Sequence, residues 1–343
     1  MESKNTRKEV IHMCHKLGLD STLVQGAGGN VSWKDGGTLW IKASGTWLSD
    51  AQTKEIFVPT DLNKIKNAIN ANNYDIRPIA CNNSKLKPSI ETLLHAMMPH
   101  KIVVHLHAID VLSYLILHDC ENSLRKKLPD NYKYEFVPYF KPGAKLAEGV
   151  ARAINKNFDL DVIFLINHGI FIGAEKSHIV LEILFDILNS IKKRQQNNLI
   201  VPTNKDQLDK SDSFKEFGYS ITNLDELNNL SLNASLVDLV ANKWALFPDH
   251  IVFLGKNAWV GDSEYLLSKV ANNSSLLPPY IFCTDIGTLQ HIDCTRAQTD
   301  QLQCYYDVVT RLEEFDKVST LTMNSVNELL DWDAEKYRLS ISK

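Results

Sequence analysis

Three histidines offer the most chemistry in this sequence. His105 and His107 stand two apart within 101–107, an apolar stretch whose alternation predicts a buried strand. Side chains two apart on a strand point to the same face of the sheet. His168 directly follows a second apolar run, 162–166, in the string Asn167-His168-Gly169. Two imidazoles on one strand face and a third at the end of a neighbouring strand can converge on a metal ion. Three protein ligands and an open position are the arrangement of a catalytic zinc. The competing reading is a set of core histidines hydrogen-bonded to backbone.

Glu91 is the next candidate. It lies in Pro88-Ser89-Ile90-Glu91-Thr92, near the start of a helix predicted over 88–98. A carboxylate there is favoured by the helix dipole alone. Beside a metal it would act as a general acid/base or as a fourth ligand.

Two short segments suit an anion. Gly26, Gly28 and Gly29 do not form a dinucleotide fingerprint, because Val31 stands where the third glycine is required. The segment also leaves a helix and enters a strand, the reverse of the Rossmann order. A nest of backbone N–H groups completed by Asn30 fits it better. Ala43-Ser44-Gly45-Thr46 sets two hydroxyls around a glycine, which suits phosphate oxygens. Ordinary tight turns are the alternative for both. His12, Cys14 and His15 on the first helix, and His291 with Cys294, read as incidental. A Ser-His-Asp hydrolase would need a G-x-S-x-G elbow, which the sequence lacks.

The elements that must position these residues follow from periodicity. Helices are predicted over 4–18, 60–75, 88–98, from about 111, over 144–155 and over 177–195. Strands are predicted over 31–34, 38–42, 101–107, 136–138, 162–166 and 170–173. Asp35-Gly36 reads as a hairpin turn. Between 201 and 234 the chain becomes rich in Asn, Asp, Lys and Ser, which reads as a linker or lid. Beyond it the pattern is a helix, a strand at 251–254, a helix, a strand at 280–284, and helices near 296–316 and 324–333. The division expected is a catalytic domain over 1–200, the linker or lid, and a small α/β extension over 235–343.

Composition sets the remaining bounds. The 343 residues are 44% hydrophobic and 23% charged, which excludes a mainly disordered chain. A net charge of −4 gives no reason to expect a nucleic-acid partner. No uncharged apolar span approaches the about 20 residues of a membrane helix, and the start, MESKNTRKEV, does not read as a secretory signal. Six scattered cysteines without a C-x-x-C pair read as reduced thiols in a cytoplasm.

Taken in order, Gly28-Gly29-Asn30-Val31-Ser32, Ala43-Ser44-Gly45-Thr46, Ser89-Ile90-Glu91, His105-Leu106-His107 and Asn167-His168-Gly169 resemble the class II aldolase/adducin family. The long string VQGAGGNVSWKDGGTLWIKASGTWLSDA is most similar to the aldolase part of rhamnulose-1-phosphate aldolase/dehydrogenase fusion proteins. Pro248-Asp249-His250-Ile251-Val252 fits the C-terminal extension of that part. The dehydrogenase half is expected to be absent.

The resemblance implies an α/β (α+β) fold with three layers, a central largely antiparallel sheet between helices, and a homotetramer with sites at subunit interfaces. It implies that His105, His107 and His168 hold Zn2+ or another divalent metal. Glu91 would be the acid/base and would also ligate the metal at rest. Gly29, Asn30, Ser44, Gly45 and Ser89 would hold the substrate phosphate. Ile90 stands where some members carry a second serine. A further general acid, often a tyrosine of a neighbouring subunit, is implied, and Tyr132, Tyr134 and Tyr139 lie in the matching part of the chain. The implied reaction is reversible cleavage of a ketose 1-phosphate to dihydroxyacetone phosphate and a short aldehyde through a metal-stabilised enediolate. The same scaffold supports epimerisation, dehydration and decarboxylation, and a non-catalytic adducin-like module is the alternative from another class.

Overall fold

Alternating apolar residues in the first half of the chain assemble a seven-stranded sheet. The structure is a computed structural model that describes residues 2–82, 84–193, 204–273, 277–315, 317–333 and 337. Contacts divide the chain into two units. The first runs to Lys193 and includes the chain from Trp332, and the second lies between.

In chain order the first unit contains α1 (Glu2–Leu19), β1 (Asn30–Asp35), β2 (Thr38–Lys42), β3 (Phe57–Asp61), α2 (Leu62–Asn70), α3 (Thr92–Met97) and β4 (Ile102–Leu106). It continues with α4 (Ile109–Leu115), α5 (Cys120–Arg125), β5 (Tyr134–Val137), α6 (Ala144–Lys156), β6 (Val162–Leu165), β7 (Gly169–Ala174) and α7 (Ser177–Ile191). The sheet order is β3-β2-β1-β4-β7-β6-β5, antiparallel except for the parallel pair β5–β6.

The strand period sorts the buried side chains into two cores. Ile102, Val104 and Leu106 pack with Val31 and Trp33 into the layer of α1, α4 and α7. Val103 packs with Ile163, Leu165 and Phe171 into the layer of α2, α3 and α6. Burying each such side chain is worth roughly 1.5–3 kcal/mol, so β4 is held from both faces. This is the expected three-layer α/β arrangement with a largely antiparallel sheet. His105 shares the parity of Val103 and so faces the α3 side.

The second unit contains α8 (Lys205–Ser211), β8 (Tyr219–Ile221), α9 (Asn229–Leu232), α10 (Ala234–Asn242), α11 (Pro248–Leu254), β9 (Val260–Gly261) and α12 (Ser263–Ala271). It ends with β10 (Tyr280–Cys283), β11 (Gly287–His291), α13 (Arg296–Val309) and α14 (Met323–Leu330). Its four strands take the order β8-β11-β10-β9. Phe214, Tyr219, Leu266, Ile281 and Leu289 form a core beside them.

Several elements differ from the sequence expectation. Residues 251–254 are helix, not strand: they belong to α11, which starts with Pro248 at its first turn and Asp249 behind it. A four-residue apolar run does not separate a strand from a buried helix, whereas those start signals do. The predicted helix over 88–98 begins only at Thr92, because Pro88 is held in an antiparallel bridge to Ala43. Residues 204–233, read from composition as connector, instead carry α8, β8 and α9, and 201–203 lie outside the described residues. Their polar residues have structural duties: Asn204 forms a capping box with Gln207, and the buried Asn228 accepts from the Thr288 amide at 3.0 Å. Strands β3, β9 and β11 and helix α5 had no predicted counterpart. All six cysteines are free, and no helix among the described residues is long and apolar enough to cross a membrane.

Candidate metal centre and active site

β4 delivers His105 from its interior and His107 just past its end. The β6–β7 turn delivers His168. Asn167 takes a left-handed conformation there, φ 55°, which asparagine tolerates better than most residues. Its amide donates to the Leu115 carbonyl at 3.1 Å, and the His168 amide donates to Leu165 at 3.0 Å. Gly169 completes the turn, since a Cβ at this position would run into the Leu106 carbonyl and the rings of His105 and His107.

The three imidazoles come together. One ligand nitrogen from each lies within 4.8 Å of the others, and all three side chains are buried. The Nε2 atoms of His105 and His107 are 3.1 Å apart. Nδ1 of His105 lies 3.1 Å from the Ile170 carbonyl, which orients the ring and leaves Nε2 for a ligand. Among the described residues this is the one group of three or more such donors close enough to share an ion. The set fits a divalent cation by its chemistry, because three imidazole nitrogens converging on one point are a donor set that transition-metal ions take.

Glu91 completes the cluster. It is the residue before α3, and its side chain makes no cap bond to that helix. Its carboxylate is 4% exposed and lies 3.5 Å from Nε2 of both His105 and His168. Asn30 donates to its Oε2 at 2.7 Å, across the register that sets Asn30 opposite His105. Oε1 accepts no hydrogen bond. A buried carboxylate with one satisfied and one open oxygen can hold a proton or complete a ligand set.

The anion segments adjoin this point. Gly26 and Gly29 both have positive φ, and a Cβ on Gly29 would lie 3.0 Å from the His105 carbonyl. The Gly-rich loop therefore passes against the backbone of β4. Gly45, also at positive φ (76°), turns the second segment, and the antiparallel Ala43–Pro88 bridge sets Ser44 opposite Lys87, with Ser89 further along the same segment. Ser89 Oγ accepts from the Glu91 amide at 3.2 Å. Ser44 and Ser89 are both buried.

Three supporting residues escaped the motif reading. Lys42 is 1% exposed, and its ammonium donates to the carbonyls of Ala27 (3.1 Å) and Thr46 (2.5 Å), tying the two anion segments together. Gln25 donates to the Ser21 carbonyl at 2.7 Å and the His107 carbonyl at 3.3 Å. His95, one turn after Glu91, lies 2.8 Å from Ser32 Oγ through Nδ1, and burial holds its pKa well below the usual histidine value. A lysine ending a strand signals such a role only if its burial is known, and buried lysines are rare.

Tyr132 and Tyr134, expected to serve a neighbouring subunit's site, lie away from the cluster of their own chain. Tyr132 donates to Asp186 at 2.6 Å, and with Tyr134 it packs on the α1, α4 and α7 core, the opposite face of the sheet. Cys14 is buried in that same core, and His15 lies 2.6 Å from the Ser49 carbonyl. His291 packs edge-on against Tyr219.

Known proteins share this part of the chain. The family profile described as "Class II Aldolase and Adducin N-terminal domain" matches residues 8–182. The L-fuculose phosphate aldolase of Methanocaldococcus jannaschii is 29% identical over 206 residues, 57% of this chain and 98% of that protein. The uncharacterized oxidoreductase YuxG of Bacillus subtilis is 26% identical over 188 residues, 50% of this chain but only 27% of that longer protein. Among solved structures, the N-terminal class II aldolase domain of a conserved protein from Thermoplasma acidophilum is 26% identical, with a TM-score of 0.45 over 54% of this chain and 91% of that one. With the profile spanning the whole run of motifs from the Gly-rich loop to His168, the chain belongs to the class II aldolase and adducin family.

Proposed function

We propose that the chain is a zinc-dependent aldolase that reversibly cleaves a ketose 1-phosphate to dihydroxyacetone phosphate and a short aldehyde. The observation that carries this reading is the buried Glu91 carboxylate, 3.5 Å from two of three clustered imidazoles with one oxygen free of hydrogen bonds. The metal ligands would be His105, His107 and His168, with Glu91 beside them. What a divalent cation supplies when held there is Lewis-acid stabilisation of negative charge on a substrate oxygen.

The chain's own residues do the rest. Gly29, Asn30, Ser44, Gly45 and Ser89 hold the substrate phosphate and so fix the ketone end at the cluster. When the C–C bond breaks, its electron pair stays with the three-carbon fragment. Protonated Glu91 returns a proton to that carbon, and Asn30 holds the carboxylate in place through Oε2. The hydroxyl proton of the departing aldehyde goes to a second acid/base, assigned by resemblance to a neighbouring subunit. The same reading makes the protein a cytoplasmic homotetramer, with residues 1–200 as its catalytic domain and 235–343 as an extension. The relative from M. jannaschii, an L-fuculose phosphate aldolase by name, supports a sugar phosphate as substrate class.

The test is deuterium exchange into dihydroxyacetone phosphate in D2O, followed by NMR. We expect exchange in the zinc-loaded protein, and its loss with a chelator and in Glu91→Gln. No exchange by the zinc-loaded protein moves the assignment to epimerisation, dehydration or decarboxylation. A protein that takes up no stoichiometric metal is a non-catalytic module.

A further inference from the structure

The chain leaves the first unit after Lys193 and rejoins it at Trp332. Part of what returns there lines a cavity of about 550 Å³. Ser44, Ser89 and Ile90 form part of its wall, and Trp332 and Tyr337 another part. Two contacts seat the indole: it fills the space a Cβ on Gly143 would need, at 3.2 Å, and the Lys141 ammonium lies 4.8 Å from its centre. The Lys87 ammonium lies 4.1 Å from the centre of the Tyr337 ring, a cation–π distance.

Lys87 joins the two walls. Its carbonyl accepts from the Ser44 amide at 2.9 Å, and the antiparallel bridge of the next residue, Pro88, to Ala43 sets Lys87 directly opposite Ser44. Its side chain is exposed and lines the cavity. Arg77 and Lys85 line it too, against Asp75 and Asp333, so cations outnumber carboxylates. Ile90, on the same wall, offers no hydroxyl. A cavity of this size receives a large part of a small ligand rather than a lone phosphoryl group.

We propose that this cavity receives the phosphate end of a phosphorylated polyhydroxy carbonyl compound, that Lys87 supplies the countercharge, and that Trp332 and Tyr337 are specificity-determining walls. The inference rests on the reading that Ser44 and Ser89 bind the substrate phosphate. A lysine beside a phosphate dianion makes a charge-assisted contact about twice as strong as a neutral hydroxyl makes. Lys87 therefore replaces what Ile90 cannot give. Because its ammonium also meets Tyr337, phosphate binding and the returning segment are linked through one side chain.

Calorimetric titration of the full-length, zinc-loaded protein with inorganic phosphate and with dihydroxyacetone phosphate tests this without turnover. Lys87→Met is expected to weaken phosphate binding by about tenfold, and Lys87→Arg to retain most of it. The double variant Trp332→Ala/Tyr337→Leu is expected to weaken dihydroxyacetone phosphate several-fold at unchanged zinc content. The inference is overturned by a wild-type protein that binds no phosphate, by unchanged phosphate affinity in Lys87→Met, or by unchanged dihydroxyacetone phosphate affinity in the double variant. Weakened binding in these variants with no deuterium exchange in the wild type keeps this inference and removes the aldolase reading. Exchange with phosphate affinity indifferent to Lys87 does the reverse.

Discussion

At the scale of single residues, the cluster makes sharp demands. His105→Ala is expected to lower bound zinc from about one per chain to near none, measured by atomic emission, because it removes one of the three clustered imidazoles proposed to hold it. Glu91→Gln keeps the size and the Asn30 neighbour but loses the exchangeable proton. Its deuterium exchange should fall by about 10²–10⁴-fold, and a fall of less than tenfold would sink its role as acid/base. Gly169→Ala forces a methyl group against the Leu106 carbonyl and the rings of His105 and His107. Overpacking of this kind costs about 1–3 kcal/mol, and both melting temperature and zinc content should report it. The convergence of the histidines was legible in the sequence because strand parity and an apolar run before His168 already imply it, whereas Glu91, a carboxylate at a helix start, stood out only through the family resemblance. Lys42 and Gln25 were not legible, because their work is to donate to carbonyls of other loops, and a carbonyl partner leaves no trace in residue type.

At the scale of elements, the strands were easier to read than the short helices. β4, β6 and β7 are short, nearly continuous apolar runs, as burial on both faces requires, and the β1–β2 and β6–β7 registers follow from their hairpins. α11 was missed because its seven residues are all buried, so no polar face marks a helical period. Its His250 is fully buried against Trp244, Phe247 and Tyr305, and burial pushes its pKa down to about 3. In the unfolded chain the same ring titrates near 6.5. Between these values the unfolded state binds the proton and the folded state does not. The stability His250 allows is therefore full above about pH 6.5 and declines as pH falls toward 3. From pH 6.5 to 5 this amounts to about 2 kcal/mol. Denaturant midpoints of wild type and His250→Leu, compared at the two pH values, should show a flatter dependence in the variant. Parallel curves would mean that the ring is protonated in both states.

At the scale of the whole molecule, two units share one chain, and the ligand cluster lies in the first. A metal held at a concentration of 1,000 times its dissociation constant adds about 4 kcal/mol to the unit that binds it. Chelation should accordingly raise hydrogen exchange in peptides that contain His105 and His168, while peptides from α12 and β10 stay unchanged. Uniform deprotection of both units would contradict a metal held by the first alone. The layer order of the first unit was legible because each strand declares its buried faces. In the second unit α10, α12, β10, α13 and α14 were legible, whereas α8, β8 and α9 were not, because asparagine-rich sequence reads as connector until its caps are seen. The return of the chain at Trp332 also sets a timetable. A ribosome adding roughly 5–20 residues per second completes the seven strands, then needs about 8 to 30 seconds before Trp332 and Tyr337 exist. During that interval the nascent protein owns its histidine cluster without the last wall of its cavity. Of all the parts of the first unit, that wall is the one whose birth waits on the synthesis of the second.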